Sequence, residues 1–206
     1  MDDPNFTGMK FLPLFFLFLL TACSVSNRPL RKQIKGLQKG IIKDDTSYVY
    51  SLPYEEGRSF LIVQGYYGIF SHQNRAALDF KMNKGTKICA ARSGVVMRVK
   101  ENSDRGGISK KYRSDGNNIV IQHADGSRAG YWHLRKDGAL VKAGDTVRQG
   151  QVIGLSGKTG YAATAHLHFL VWTYDEVRKW RPVATRFQTS KGVKYLRAWR
   201  RYRNQN

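Results

Sequence analysis

Two cysteines are too few to brace this chain. They stand at Cys23 and Cys89 in 206 residues. They form no Cys-x-x-Cys pair, which excludes a zinc ribbon and a thioredoxin-type motif. Acidic residues are scarce too: 15 Asp and Glu face 35 Lys and Arg, a formal charge of +20. So large an excess calls for an anionic partner or surface, with nucleic acid, cell wall and anionic lipid headgroups as candidates. The apolar run Phe11 to Leu20 is too short to span a bilayer, which takes about 20 residues. Sustained helical periodicity is missing ahead of residue 190, which argues against a helical bundle. Histidines number only five, His72, His123, His133, His166 and His168, so each can be weighed singly.

What is present begins with "MKFLPLFFLFLLTAC", Met9 to Cys23. One cation, an apolar run and then small residues is the layout of a secretory signal. Asp2 and Asp3 have the wrong sign for the cationic start of such a signal, so Met9 is the expected translation start. Leu20-Thr21-Ala22-Cys23 resembles a bacterial lipobox. The resemblance implies that Cys23 is lipidated and becomes the mature N-terminus. Ser24 after it implies delivery to the outer membrane, facing the periplasm. An acyl anchor contributes ~0.8 kcal/mol per buried methylene. Export also removes the chain from the usual nucleic acids, so no nucleic-acid partner is expected. Cys89 is then alone and reads as a small buried hydrophobe.

The organisation follows from changes of texture. Residues 1–22 read as the signal and 23–47 as a lipidated, basic tether, with room for a short helical piece. Residues 48–190 read as the domain and 191–206 as a basic tail. From Tyr48 onward, short β-branched and aromatic runs such as "SFLIVQGYY", "ALDFKM", "NNIVIQH" and "HLHFLVWTY" alternate with Gly, Asn and Asp. That spacing predicts an all-β domain, a single antiparallel sheet of sandwich-like form, expected as a monomer. Asp125-Gly126 supplies a hairpin turn. In the tail, Tyr195, Leu196, Trp199 and Tyr202 lie near helical spacing among basic residues. It is either an amphipathic surface helix or a solvated, frayed end.

"LSGKTG" invites a phosphate-loop reading, but the required leading glycine position holds Val152 and a strand follows. Gly157 and Gly160 instead suit a tight loop that delivers the chain to His166. In "TAHLHFLVW" a strand places His166 and His168 on one face, with Leu167 and Phe169 on the other. Two such histidines are either polar residues on a solvated face or a metal ligand beside a catalytic base. "ALDF" likewise sets Asp79 opposite Leu78 and Phe80. A carboxylate among apolar neighbours is costly unless it is paired or bound to a metal. "YWHL" places His133 on a strand as well.

The ordered set His72, Asp79, Tyr131-Trp132-His133-Leu134 and His166-Leu167-His168-Phe169 resembles the lysostaphin-type zinc endopeptidases of bacterial cell walls. "VRQGQVIGLSGKTGYAATAHLHF", "GTKICAARSGVV" and "GNNIVIQHADGSRAGYWHL" extend the likeness over roughly residues 60–175. The resemblance implies that His72, Asp79 and His168 bind zinc and that His133 and His166 form the catalytic pair. His123 falls where the family often has a histidine near the site, and it reads either as a structural residue or as a support to the ligands rather than as one of them. One departure stands out: six residues separate His72 from Asp79 where the common motif has three. The implied activity is hydrolysis of peptide bonds in peptidoglycan stems or cross-links by a metal-activated water. The rival is a non-catalytic wall-binding module or an activator of another murein hydrolase. Residues 103–116, "SDRGGISKKYRSDG", suggest a lid or substrate-contact insertion.

Overall fold

The computed structural model describes residues 29–43 and 48–205. The signal and the lipobox, Cys23 included, lie outside the described residues. One helix, α1 (Pro29–Lys39), precedes the strands β1 (Val49–Tyr50), β2 (Ser59–Gln64), β3 (Ala77–Lys81), β4 (Lys87–Cys89) and β5 (Gly94–Lys100). Next come β6 (Gly106–Gly107), a short 3-10 helix (Lys110–Asp115), β7 (Asn117–Gln122), β8 (Arg128–Ala139), β9 (Thr146–Val147) and β10 (Val152–Ser156). The chain closes with β11 (Gly160–Tyr161), β12 (His166–Tyr174), β13 (Trp180–Val183), β14 (Arg186–Phe187) and β15 (Arg201–Arg203).

Eleven strands form one sheet in the order β15-β2-β3-β12-β8-β7-β5-β9, with β4, β10 and β13 joined at its sides. Register explains the two faces. Leu78 pairs with Phe169, Phe169 with Tyr131 and Tyr131 with Ile119. This row is sequestered and merges with Phe80, Leu167 and Phe187 into one core. Because successive side chains alternate, the next row points the other way. It runs Gln64, Asp79, His168, Trp132, Asn118. The all-β expectation is therefore met, and the alternation read in "ALDF" and "HLHF" is the alternation observed.

The Asp125-Gly126 turn joins β7 to β8, with Gly126 at φ 79° and the Ser127 amide donating to Asp125 Oδ1 at 3.0 Å. Cys89 is buried, and burial pushes its thiol up to about 11.

Both flanking segments contribute to the folded body. Ile34 of α1 is part of the core, and Gln38 Nε2 donates to the Leu196 carbonyl at 2.7 Å. The tail is not a helix. Trp199 sits at φ 63°, which breaks a right-handed helix. Residues 201–203 then pair antiparallel with β2, whose free edge would otherwise expose unpaired backbone groups. Tyr195 and Leu196 are buried. Among the described residues no helix is long and apolar enough to cross a membrane.

Candidate metal centre

Asp79 and His168 face each other across β3 and β12, and the loop between β2 and β3 brings in His72. His168 Nδ1 lies 2.7 Å from Asp79 Oδ1, His72 Nε2 lies 3.2 Å from the same oxygen, and the two ring nitrogens are 3.1 Å apart. The long spacing between His72 and Asp79 does not keep His72 away. Its loop folds back so that His72 Nδ1 donates to the Gly65 carbonyl at 3.1 Å. That bond fixes the tautomer, because a carbonyl only accepts. In the neutral imidazole Nε2 is then the lone-pair nitrogen, and it faces Asp79 and His168.

The donor set fits a cation. A carboxylate and an imidazole lone pair converge with His168 Nδ1, all within 4.8 Å of one another. With both rings neutral, one proton on His168 Nδ1 lies between two acceptors, Asp79 Oδ1 and His72 Nε2. A tetrahedral zinc site with bonds of about 2.0–2.1 Å places neighbouring donors about 3.3 Å apart, close to the spacings seen. Burial alone would pull the Asp79 carboxyl toward its neutral form, but His72 and His168 hold it well below the usual carboxylate range. Burial lowers His168, favouring the neutral imidazole that a metal requires.

His133 and His166 stand beside this cluster with ring centroids 4.6 Å apart. His166 Nδ1 donates to Thr164 O at 2.8 Å and His133 Nδ1 to Thr159 O at 2.6 Å. In the neutral rings each Nε2 is then the lone-pair nitrogen; that of His166 is 3.7 Å from Asp79 Oδ1. Burial first, then His166 and His168 nearby, lower His133 to about 3. Its placement depends on a β-bulge. Asn117 pairs with Leu134 but Asn118 with Trp132, so His133 is the extra residue on β8. It adopts φ 67°, and the bulge turns its ring onto the same face as Trp132.

Two supporting residues are not signalled by the sequence motifs. Gln64 Nε2 donates to Asp79 Oδ2 at 3.1 Å and to Ser71 Oγ at 2.8 Å, while Gln64 Oε1 accepts from the Ser71 amide at 3.2 Å. One side chain thus ties the carboxylate to the residue preceding His72. Its only sequence signal is a lone polar residue in an apolar run. Thr159 is the other. Its carbonyl holds His133, and its hydroxyl donates to Leu134 O at 2.7 Å and accepts from the Asn117 amide at 3.0 Å. The glycine loop before His166 therefore also orients His133. Outer partners of metal ligands are worth ~10–100-fold in metal affinity or activity. Gln64→Ala is expected to weaken zinc binding within that range, read by chelator competition. An unchanged affinity would show that Gln64 only fills space.

A cleft of about 700 Å³ opens over the cluster. Phe70 and Ile108 rim it with 77% and 78% of their surfaces exposed. Arg75 and Arg113 also line it, and Asp79 is its one acidic residue. Segment 103–116 forms part of this wall. Gly106–Gly107 pairs with Gly160–Tyr161, and Arg113 lies 5.6 Å from the Tyr161 ring centroid. A Cβ on Gly106 would come within 2.1 Å of the Lys158 carbonyl, so glycine permits this close approach. His123 is elsewhere. Its Nδ1 donates to Ser93 O at 2.9 Å and its ring packs edge-on against Tyr50. Of the two roles expected for His123, the structure shows the structural one: it is a buried histidine just beyond the end of β7, away from the cleft.

Residues 73–181 match the model of Peptidase family M23, starting one residue after His72. Peptidoglycan DD-endopeptidase ShyA of Vibrio cholerae is 37% identical over 105 residues, covering 51% of this chain and 20% of that protein. Lysostaphin of Staphylococcus simulans is 43% identical over 93 residues, covering 45% of this chain and 17% of that protein. The chain thus spans about a quarter or less of the curated relatives it matches. Among solved structures, the M23 metalloprotease pseudoalterin aligns with a TM-score of 0.50 at 16% identity. The alignment covers 78% of this chain and 98% of pseudoalterin, a likeness of fold alone.

Proposed function

Because this chain belongs to Peptidase family M23, we propose that it is a zinc-dependent endopeptidase acting on peptide bonds of peptidoglycan stems or cross-links. The observation that carries this reading is the buried His72, Asp79 and His168 cluster on the floor of an open cleft, with two further imidazoles beside it. Zinc held by these three residues would polarise a carbonyl and lower the pKa of water toward ~7.

The protein's own groups do the rest. His133 and His166 have their Nδ1 hydrogens committed to backbone carbonyls. In its neutral form each can therefore accept a proton toward substrate only at Nε2. The imidazole that takes the attacking water's proton becomes the donor that passes it to the leaving amine. The other offers a second Nε2 acceptor that helps to orient the attacking water. Phe70 and Ile108 offer apolar contact to the bound peptide. Arg75 and Arg113 offer charge to its carboxylates.

Lipidation at Cys23 and attachment to the outer membrane, facing the periplasm, are part of the same proposal. They rest on the lipobox sequence. A non-catalytic module that activates another hydrolase is the second reading, and the five filled site positions weigh against it.

Purified peptidoglycan digested by the full chain, with chelator and zinc add-back, tests the reading by mass spectrometry of the products. Zinc-dependent appearance of new amino termini is expected. Folded, zinc-loaded protein that releases none would overturn the enzyme in favour of the activator.

A further inference from the structure

The strongest unexplained feature lies away from the cleft. The helix α1 and the tail meet along a groove of about 1110 Å³. Of its nineteen lining residues nine are Lys or Arg and none is Asp or Glu. The cations come from two ends of the sequence: Lys39 and Lys43 lie at and just beyond the end of α1, while Lys191, Lys194, Arg200 and Arg201 belong to the tail. Arg197 and Gln38 bond across the junction, the Arg197 guanidinium donating to the Gln38 carbonyl. None of these residues lines the catalytic cleft.

Apolar side chains stand out from the same segments. Trp199, between Arg197 and Arg200, is 70% exposed, and Ile41, between Gly40 and Ile42, is 75% exposed. Val193 of the groove wall is exposed as well. Trp199 is presented by its backbone, since its amide donates to the Ile62 carbonyl at 2.8 Å in a left-handed conformation. A soluble anion would be served by the cations alone. Cations set among exposed Trp and Ile suit the boundary between headgroups and acyl chains, where an indole is half in water.

We propose that this groove is a docking surface for phospholipid headgroups of net negative charge, with Trp199 and Ile41 entering the headgroup layer. The basic groove holds the phosphates, and the apolar pair adds contact area. Pro29, where α1 begins, is the sixth residue after Cys23, and a chain of that length reaches at most ~22 Å. A lipid on that cysteine would therefore hold the groove close to the bilayer. The surface does not depend on the peptidase reading, because binding and hydrolysis are measured separately.

The test compares the full chain with the variant Lys191→Gln/Lys194→Gln/Arg200→Gln/Arg201→Gln. Partition is measured onto phosphatidylcholine vesicles with and without phosphatidylglycerol. The apolar run Phe11 to Leu20 acts alike in both proteins, so the ratio isolates the groove. The attraction of cations to an anionic surface adds up residue by residue. The variant should therefore lose at least ~10-fold of its partition onto the phosphatidylglycerol vesicles, with no change on phosphatidylcholine. Lys39→Gln/Lys43→Gln, altering the other wall, should give a smaller loss in the same direction. Trp199→Ser should lower binding at high salt, where the charges are screened. Equal partition of wild type and both charge variants would overturn the proposal. So would displacement from vesicles by inorganic phosphate or a soluble oligonucleotide at matched phosphate concentration.

Discussion

Asp79→Asn should remove zinc and hydrolysis together, lowering activity by more than the ~10–100-fold that outer partners of a metal are worth. Asp79 Oδ1 is the point on which His72 and His168 converge, and an amide replaces that negative oxygen with a neutral one. Two imidazoles without a carboxylate make a weak, cationic zinc site. The same substitution should change the stability of the metal-free protein in a pH-dependent way. The carboxyl is held well below its ordinary value on folding. Its contribution is thus fully present above the unfolded value of about 3.9 and is lost as pH falls through the folded one. Replacing the carboxyl with an amide should erase that acid-sensitive share. Zinc content by mass spectrometry, peptidoglycan hydrolysis and urea melts with chelator would check the three parts. Retention of stoichiometric zinc and full activity by Asp79→Asn would remove Asp79 from the site.

The central strands were legible because two periodicities coincide with two chemistries. Leu78, Phe80, Leu167 and Phe169 alternate with Asp79, His166 and His168, and a period of two assigns each set to its own face. The convergence of His72 was harder to see. Its place depends on a loop whose path is set by the Gly65 carbonyl and the Gln64 amide, neither of which has a motif. Gln64 itself becomes visible only once β2 is registered against β3. The tail misleads for a related reason. Tyr195, Leu196, Trp199 and Tyr202 have spacings that a helix could use, yet the deciding interaction is the open edge of β2, some 140 residues earlier in the chain. Local pattern carries no information about a partner so distant in sequence. His123 shows another limit: its place in a familiar hairpin left a structural and a supporting role both open, and only the ring's contacts with Ser93 and Tyr50 assign it to the core.

His133→Asn provides the sharpest separation of metal binding from proton transfer. A strict alternation along β8 would place His133 opposite Trp132, and only the extra residue in the bulge brings both to the cleft. Asn is chosen because it tolerates the left-handed backbone seen at φ 67°, so the bulge should survive. The variant should keep its zinc while kcat falls ~10²–10⁴-fold, the range for losing a positioned acid–base group. His166→Ala should also keep zinc, which distinguishes both from Asp79→Asn. Stability should carry a second signature. Burial lowers His133 to about 3, so its neutral form is favoured by folding. Wild type in chelator should lose stability as pH falls from about 6.5 toward about 3, because the unfolded chain binds the proton first. His133→Asn should lose less over that interval. A variant with normal kcat, or with zinc lost alongside activity, would show that His133 is not the proton-transfer group and that its bulge serves the metal instead.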